Sequence, residues 1–202
     1  RSEGKGDNLL LSSVVALKPE TGAYLWHYQE TPAESWDFTA TQPIILATIP
    51  IGGTPRKVLM QAPKNGFFFV VDRTNGKPIA ANKFIKSVNW ADRYGPDGRP
   101  VETAAARYYR TQKPFIGVPS ALAAHNWQPM SFSPKTGLVY IPAQEVGLAY
   151  IPPLTPQDAA RQPLGFNVGL NFSEGMLPHD PKVVAAAARA TVGALVAFDP
   201  VA

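Results

Sequence analysis

The chain has 202 residues, 45% of them hydrophobic, no cysteine and a formal net charge of +4 at pH 7. That length and apolar content suit a folded domain with a core and exclude a disordered chain. The lack of cysteine excludes disulfides, thiolate metal sites and a c-type haem motif within these residues, and the dispersed Lys and Arg side chains argue against nucleic-acid binding. The 21 prolines and 16 glycines disfavour long helices and suit short strands joined by turns. No run of about 18 apolar residues is present to form a membrane-spanning helix.

Arg1-Ser2-Glu3-Gly4-Lys5-Gly6 reads as the middle of a loop, so the chain is expected to be a piece of a longer protein. The first clear unit is Val15-Ala16-Leu17-Lys18-Pro19-Glu20-Thr21-Gly22-Ala23-Tyr24-Leu25-Trp26. A strand enters, a Pro/Thr-Gly turn reverses it, and a second strand ends on Trp26; Gly22 supplies the positive φ of the turn. Thr31-Pro32-Ala33-Glu34-Ser35-Trp36-Asp37-Phe38 follows as a polar segment set among strand-like runs. Its aromatic neighbours are expected to desolvate Asp37 and raise its pKa, which a nearby cation would lower again. Pro43–Ala47 and Lys57–Gln61 read as strands. Ala62-Pro63-Lys64-Asn65-Gly66 precedes Phe67-Phe68-Phe69-Val70-Val71, a continuous apolar run suited to a strand buried on both faces. Val70 to Pro78 repeats the first hairpin, with Asn75-Gly76 at its turn.

Residues 85–118, rich in Arg, Tyr and Pro, read as a long excursion. Ala123-Ala124-His125-Asn126-Trp127 is a third polar segment. Met130 to Tyr140 is a third hairpin copy, with Ile141 where a tryptophan is expected, and Ala194-Leu195-Val196-Ala197-Phe198-Asp199-Pro200 begins a fourth. Between them, residues 150–192 form a second insertion. Asp180 as N-cap and Pro181 at the first helical position predict a short helix over about 181–190. The turn glycines Gly22, Gly76 and Gly137 lie 54 and 61 residues apart. Strand-rich repeats of roughly 40–50 residues point to propeller blades, with the surplus taken up by insertions.

Three segments carry chemistry. Asp37 is a carboxylate suited to general-base work on an alcohol hydroxyl; its ordinary alternative is a turn or cap residue. Lys64 could hydrogen-bond a carbonyl and stabilise an oxyanion, or be a solvated turn lysine. Asn126 and Trp127 offer an amide and an indole face, though Trp127 could be only a core residue. His125 reads as structural. His27, His125 and His179 lack zinc-ligand spacing, and neither a P-loop nor a dinucleotide fingerprint is present.

Trp36-Asp37, Lys64-Asn65-Gly66 and His125-Asn126-Trp127, in this order and set among these hairpins, resemble the quinoprotein alcohol dehydrogenases. The resemblance covers nearly all of residues 7–150 and the last eight or so, and is weak across 151–192. It implies an all-β fold: about three blades of an eight-bladed β-propeller with a short helical insertion, and Trp26 docked between neighbouring blades. Lys18 departs from the acidic residue usual at its position. The family's cofactors are pyrroloquinoline quinone (PQQ) and a metal ion. Asp37 matches the proposed catalytic base and a metal neighbour; Lys64, Asn126 and Trp127 match residues that contact PQQ. Relatives that use lanthanides carry a further carboxylate two residues after the aspartate. Thr39 stands there, which favours Ca²⁺. Family ligands for the metal, from Glu and Asn, match positions upstream of residue 1. The implied activity is oxidation of a primary alcohol to an aldehyde in the periplasm, with electrons leaving to cytochrome c or a haem domain. As an isolated piece the chain is expected to be inactive. The competing readings are a non-catalytic propeller akin to an outer-membrane assembly scaffold, and a relative that oxidises sugars or polyols.

Overall fold

The computed structural model describes residues 6–152 and 180–201. Strands β1 (Ser13–Leu17) and β2 (Tyr24–Gln29) pair as an antiparallel hairpin. Strands β3 (Ile45–Ile51), β4 (Thr54–Gln61), β5 (Phe67–Asp72) and β6 (Pro78–Lys83) then form a four-stranded antiparallel sheet in sequence order. β5 is buried at every position, which explains its unbroken apolar run: it lies between β4 and β6, and both faces are covered.

The excursion follows, with a small hairpin of β7 (Ala91–Tyr94) and β8 (Pro100–Glu102), a single helical turn α1 (Tyr108–Thr111) and strand β9 (Phe115–Gly117). Then come β10 (Ser131–Phe132), β11 (Val139–Glu145), β12 (Leu148–Tyr150), helix α2 (Pro181–Ala190) and β13 (Val192–Phe198). β10, β11 and β13 form one sheet, and β12 pairs with β9. Helix α2 covers the predicted span. The Asp180 side chain accepts from Lys182 N, and a proline opens the first turn. The rest of the second insertion, residues 153–179, lies outside the described residues.

The three Thr/Asn-Gly hairpins share one local geometry. Gly22 N, Gly76 N and Gly137 N donate to the carbonyls of Lys18, Asp72 and Ser133 at 2.7–2.8 Å, with φ of 71°, 75° and 72°. Their places in the fold differ, however. The copies at 130–140 and 194–200 do not open successive blades: β10, β11 and β13 share a sheet, and Ile141 pairs with Val196 at its centre. No docking tryptophan belongs at position 141. The turn signature reports a reversal of the chain and carries no information about which corner of a blade it closes. Among the described residues, the fold thus holds one four-stranded sheet, the three-stranded β10–β11–β13 sheet, and two-stranded pairs of β1 with β2, β7 with β8 and β9 with β12.

Trp26 does not end its strand, since β2 runs on to Gln29, and it lies against Gly76 in the β5–β6 turn of the next sheet. A Cβ on that glycine would stand 2.6 Å from Trp26 Cε3. The excursion, too, is more than decoration. Trp90, Ala91, Ala106, Tyr108 and Phe115 all join the main core. Trp90 packs on Trp36, Phe38 and Phe67, with ring centroids 5.0, 5.5 and 5.9 Å away.

Candidate active site

The stretch 31–38 joins β2 to β3 as an irregular loop, and its backbone polar groups find specific partners. One Glu34 side-chain oxygen accepts from the amides of both Trp36 and Phe38. The hydroxyls of Tyr108 and Tyr150 donate to the carbonyls of Ser35 and Trp36, at 3.0 and 2.9 Å. Trp36 Nε1 donates to Ala106 O at 2.9 Å. Asp37 itself sits at φ 65°, a left-handed conformation that Asp tolerates better than most residues. This conformation sends its neighbours inward and its own side chain out. Trp36 and Phe38 are each 1% exposed, while the Asp37 side chain is 52% exposed. The expected desolvation of Asp37 by its aromatic neighbours is therefore not what the fold provides, because those rings face the core and leave the carboxylate open.

Lys64 reaches that carboxylate: its Nζ lies 3.2 Å from Asp37 Oδ2, and its side chain is only 11% exposed. The turn that presents it is fixed by Asn65. Asn65 Oδ1 accepts from Phe67 N at 3.0 Å, and its Nδ2 donates to Thr31 Oγ1 at 3.1 Å and to the Tyr94 hydroxyl at 3.3 Å. The Asn65 carbonyl accepts from Trp90 Nε1 at 2.8 Å. Gly66, at φ 88°, leaves no room for a Cβ, which would stand 2.6 Å from Val88 Cγ2.

The third segment is zipped to the second. Ala124 N donates to Lys64 O at 3.0 Å, and the His125 ring nitrogens lie 2.6 and 2.7 Å from the carbonyl oxygens of Ala62 and Gln128. His125, 1% exposed, thus ties two loops together, the structural role expected of it. Asn126 follows, half-buried, and Trp127 is 76% exposed, so Trp127 is not a core residue of this chain. The structure joins Asp37 to Lys64 directly and sets the segment leading to Asn126 and Trp127 beside the Lys64 turn, through the Ala124 amide and the His125 ring. Thr39, partly buried, bonds only weakly to Thr41, at 3.4 Å between hydroxyl oxygens.

Several residues that build this site carried no sequence signal. Arg107 is buried and bonds Glu102, the carbonyls of Pro32 and Ala33, and Ser35 Oγ, with its guanidinium 4.3 Å from the centre of the Trp36 ring. Burial works against its charge, yet hydrogen bonding to Glu102 holds its pKa above the usual value. Asn65 announced a turn but not the three-way anchor it forms. Glu30, upstream of the loop, is wholly buried, and its carboxyl oxygens find no partner among the described residues; burial raises its pKa to about 8.

Four-stranded and partial sheets of antiparallel strands, locked by a tryptophan against the turn of the next sheet, make this a β-propeller protein. The family model described as the glucose/ethanol/alcohol dehydrogenase β-propeller domain matches residues 2–88. The quinohemoprotein alcohol dehydrogenase of Comamonas testosteroni is 61% identical over 146 residues, covering 72% of this chain and 20% of that protein. The 1-butanol dehydrogenase (cytochrome c) of Thauera butanivorans is 46% identical over 203 residues, covering all of this chain and 28% of the relative. Among solved structures, quinohemoprotein alcohol dehydrogenase ADHIIG of Pseudomonas putida superposes with a TM-score of 0.87 at 44% identity, over 98% of this chain and 29% of that one. The chain belongs to the PQQ-dependent quinoprotein alcohol dehydrogenase family, and it spans under a third of the length of these relatives.

Proposed function

We propose that this chain forms part of the catalytic propeller of a periplasmic, PQQ- and Ca²⁺-dependent dehydrogenase that oxidises a primary alcohol to an aldehyde. The residues present suit such a cofactor pair. Asp37 offers an open, hard carboxylate oxygen, Lys64 a nearly buried ammonium beside it, and Trp127 an uncovered indole face. Lys64, Asn126 and Trp127 would hold PQQ by donated hydrogen bonds and aromatic contact. Asp37 would be the ligand this chain offers to the metal; among the described residues no group of three or more His, Cys, Asp or Glu side chains could hold one alone. When bound, PQQ supplies the ortho-quinone that receives the hydride from the alcohol carbon, and Ca²⁺ supplies Lewis acidity beside it.

Asp37 takes the hydroxyl proton of the alcohol, and its exposure leaves the carboxylate reachable by substrate. Lys64, held by the Asn65 anchor, pairs with that carboxylate and donates toward oxygen on which negative charge develops. The electrons then leave to a cytochrome c or a haem domain, as the haem- and cytochrome-bearing names of the relatives suggest. The observation that carries this reading is the direct meeting of Asp37 and Lys64 across 27 residues of sequence. Full-length protein reconstituted with PQQ and Ca²⁺ is expected to reduce an artificial dye in an alcohol-dependent manner, and Asp37→Asn to leave only a small, measurable residual rate. Unchanged activity in that variant would reject Asp37 as the base.

A further inference from the structure

The loop that carries Asp37 contains two non-glycine residues in the left-handed region, Ala33 at φ 48° and Asp37 at φ 65°. Such conformations persist only where surrounding structure over-determines them. Glu34, Tyr108 and Tyr150 hold the backbone of residues 35, 36 and 38, and Ala33 N donates to Asp7 O at 2.8 Å. The carbonyls of residues 32 and 33 and the Ser35 hydroxyl are gripped together by one side chain from the excursion. Arg107 is 7% exposed. Its Nε donates to Glu102 Oε2 at 2.7 Å, and Nη2 reaches Glu102 Oε1 and, at 3.3 Å, Pro32 O. Nη1 reaches Ala33 O, Ser35 Oγ at 3.2 Å and Tyr109 OH at 3.3 Å. The plane of the guanidinium is thus fixed by a carboxylate behind it while its forward edge grips residues 32, 33 and 35.

We propose that Arg107 is a positioning residue for the reaction: braced by Glu102, it holds the 32–36 backbone so that Asp37 keeps the left-handed turn that aims its carboxylate at Lys64. This rests on Asp37 being the catalytic base. Arg107 touches neither Asp37 nor Lys64 through any described bond, and its effect passes through the loop. A lysine cannot replace it, since one ammonium on a flexible stem cannot present a planar fork to acceptors on two sides.

The test uses full-length enzyme reconstituted with PQQ and Ca²⁺, with kcat expressed per bound PQQ. Arg107→Lys and Arg107→Met are each expected to lower kcat by about 10- to 100-fold, the cost of misplacing a reacting group by about an ångström, with KM little changed. Combined with Asp37→Asn, Arg107→Met should lower kcat no further. Hydrogen–deuterium exchange should show lost protection confined to peptides covering 31–40. If Arg107→Met does not fold, Arg107→Lys and Glu102→Gln carry the same readouts. The proposal falls if kcat stays within about twofold of wild type, or if the loss is equally large with and without the Asp37 carboxylate. It also falls if exchange rises across the whole sheet. Full activity in Asp37→Asn alone would instead bring down the functional reading beneath it.

Discussion

Gly76 lies directly under the indole of Trp26, so close that a single added carbon would stand 2.6 Å from Cε3 and 2.8 Å from Cδ2. Two demands meet at this glycine. Its φ of 75° disfavours any L side chain, and its missing Cβ makes the seat on which the neighbouring sheet docks.

The two demands can be separated. Gly137 has nearly the same φ, 72°, but nothing within 4 Å of its would-be Cβ. Gly137→Ala is expected to cost about 1 kcal/mol, the backbone term alone. Gly76→Ala carries that term plus displacement of Trp26, for a total of about 2–4 kcal/mol. Chemical unfolding of the two variants in the full-length protein checks the difference; equal losses would mean that the Trp26 contact contributes nothing.

The order and type of the main strands were legible because turn chemistry and apolar runs are local. Gly22 and Gly76 marked hairpins, the Phe67–Val71 run marked a central strand, and Asp180-Pro181 marked a helix start. Which sheet a hairpin joins is a long-range matter. The pairing of β11 with β13, which sets Ile141 opposite Val196 across the second insertion, left no trace in either strand alone. The site split the same way. Asp37, Lys64, Asn126 and Trp127 stood out as polar residues in strand-like surroundings. Arg107, Trp90 and Tyr150 looked like ordinary members of long loops, because their partners lie 60 or more residues away or in another segment altogether.

Glu30 should give the protein a measurable pH dependence. Burial raises its folded pKa from 4.5 to about 8, so the folded state keeps a proton that the unfolded chain gives up above 4.5. Where the folded state binds more protons, stability falls as pH rises. Its contribution is therefore fully present below pH 4.5 and is lost progressively up to about pH 8. Glu30→Gln removes the ionisation but keeps the shape. It should match wild type near pH 4.5 and exceed it by a few kcal/mol, on the order expected from the shift, at pH 8. Thermal unfolding at the two pH values measures this, and a variant less stable than wild type at pH 8 would show that the carboxylate has a partner in the full-length protein.

Asn65 is expected to act on the reaction through Lys64. Its side chain makes three bonds, to Phe67 N, Thr31 and Tyr94, and these fix the turn from which Lys64 extends. Asn65→Ala leaves buried groups unpaired and should cost about 1–3 kcal/mol of stability. Asn65→Asp keeps the acceptor toward Phe67 N but loses the amide donors, and it places a negative charge next to Lys64. Both variants should lower kcat while leaving Asp37 chemically intact. Rate measurements per bound cofactor, alongside unfolding, separate the two effects.

Lys64 offers the most direct probe of the charge arrangement. Its ammonium faces the Asp37 carboxylate at 3.2 Å and is shielded from solvent far more than its partner, with side-chain exposures of 11% and 52%. The Coulomb term between them is modest, because the exposed carboxylate is screened, so loss of the pair alone should change stability by under about 1 kcal/mol. The catalytic effect should be much larger. Lys64→Met keeps the aliphatic stem and removes the donor, and a lost preorganised donor of this kind typically lowers kcat by about 100- to 1000-fold. Lys64→Arg restores a cation in a bulkier, planar form and should recover part of the rate. If Lys64→Met lost stability in proportion to activity, or if arginine recovered nothing, the lysine would be a packing element of its turn rather than the group that steadies developing charge. Parallel kinetics and unfolding of the two variants decide between these outcomes.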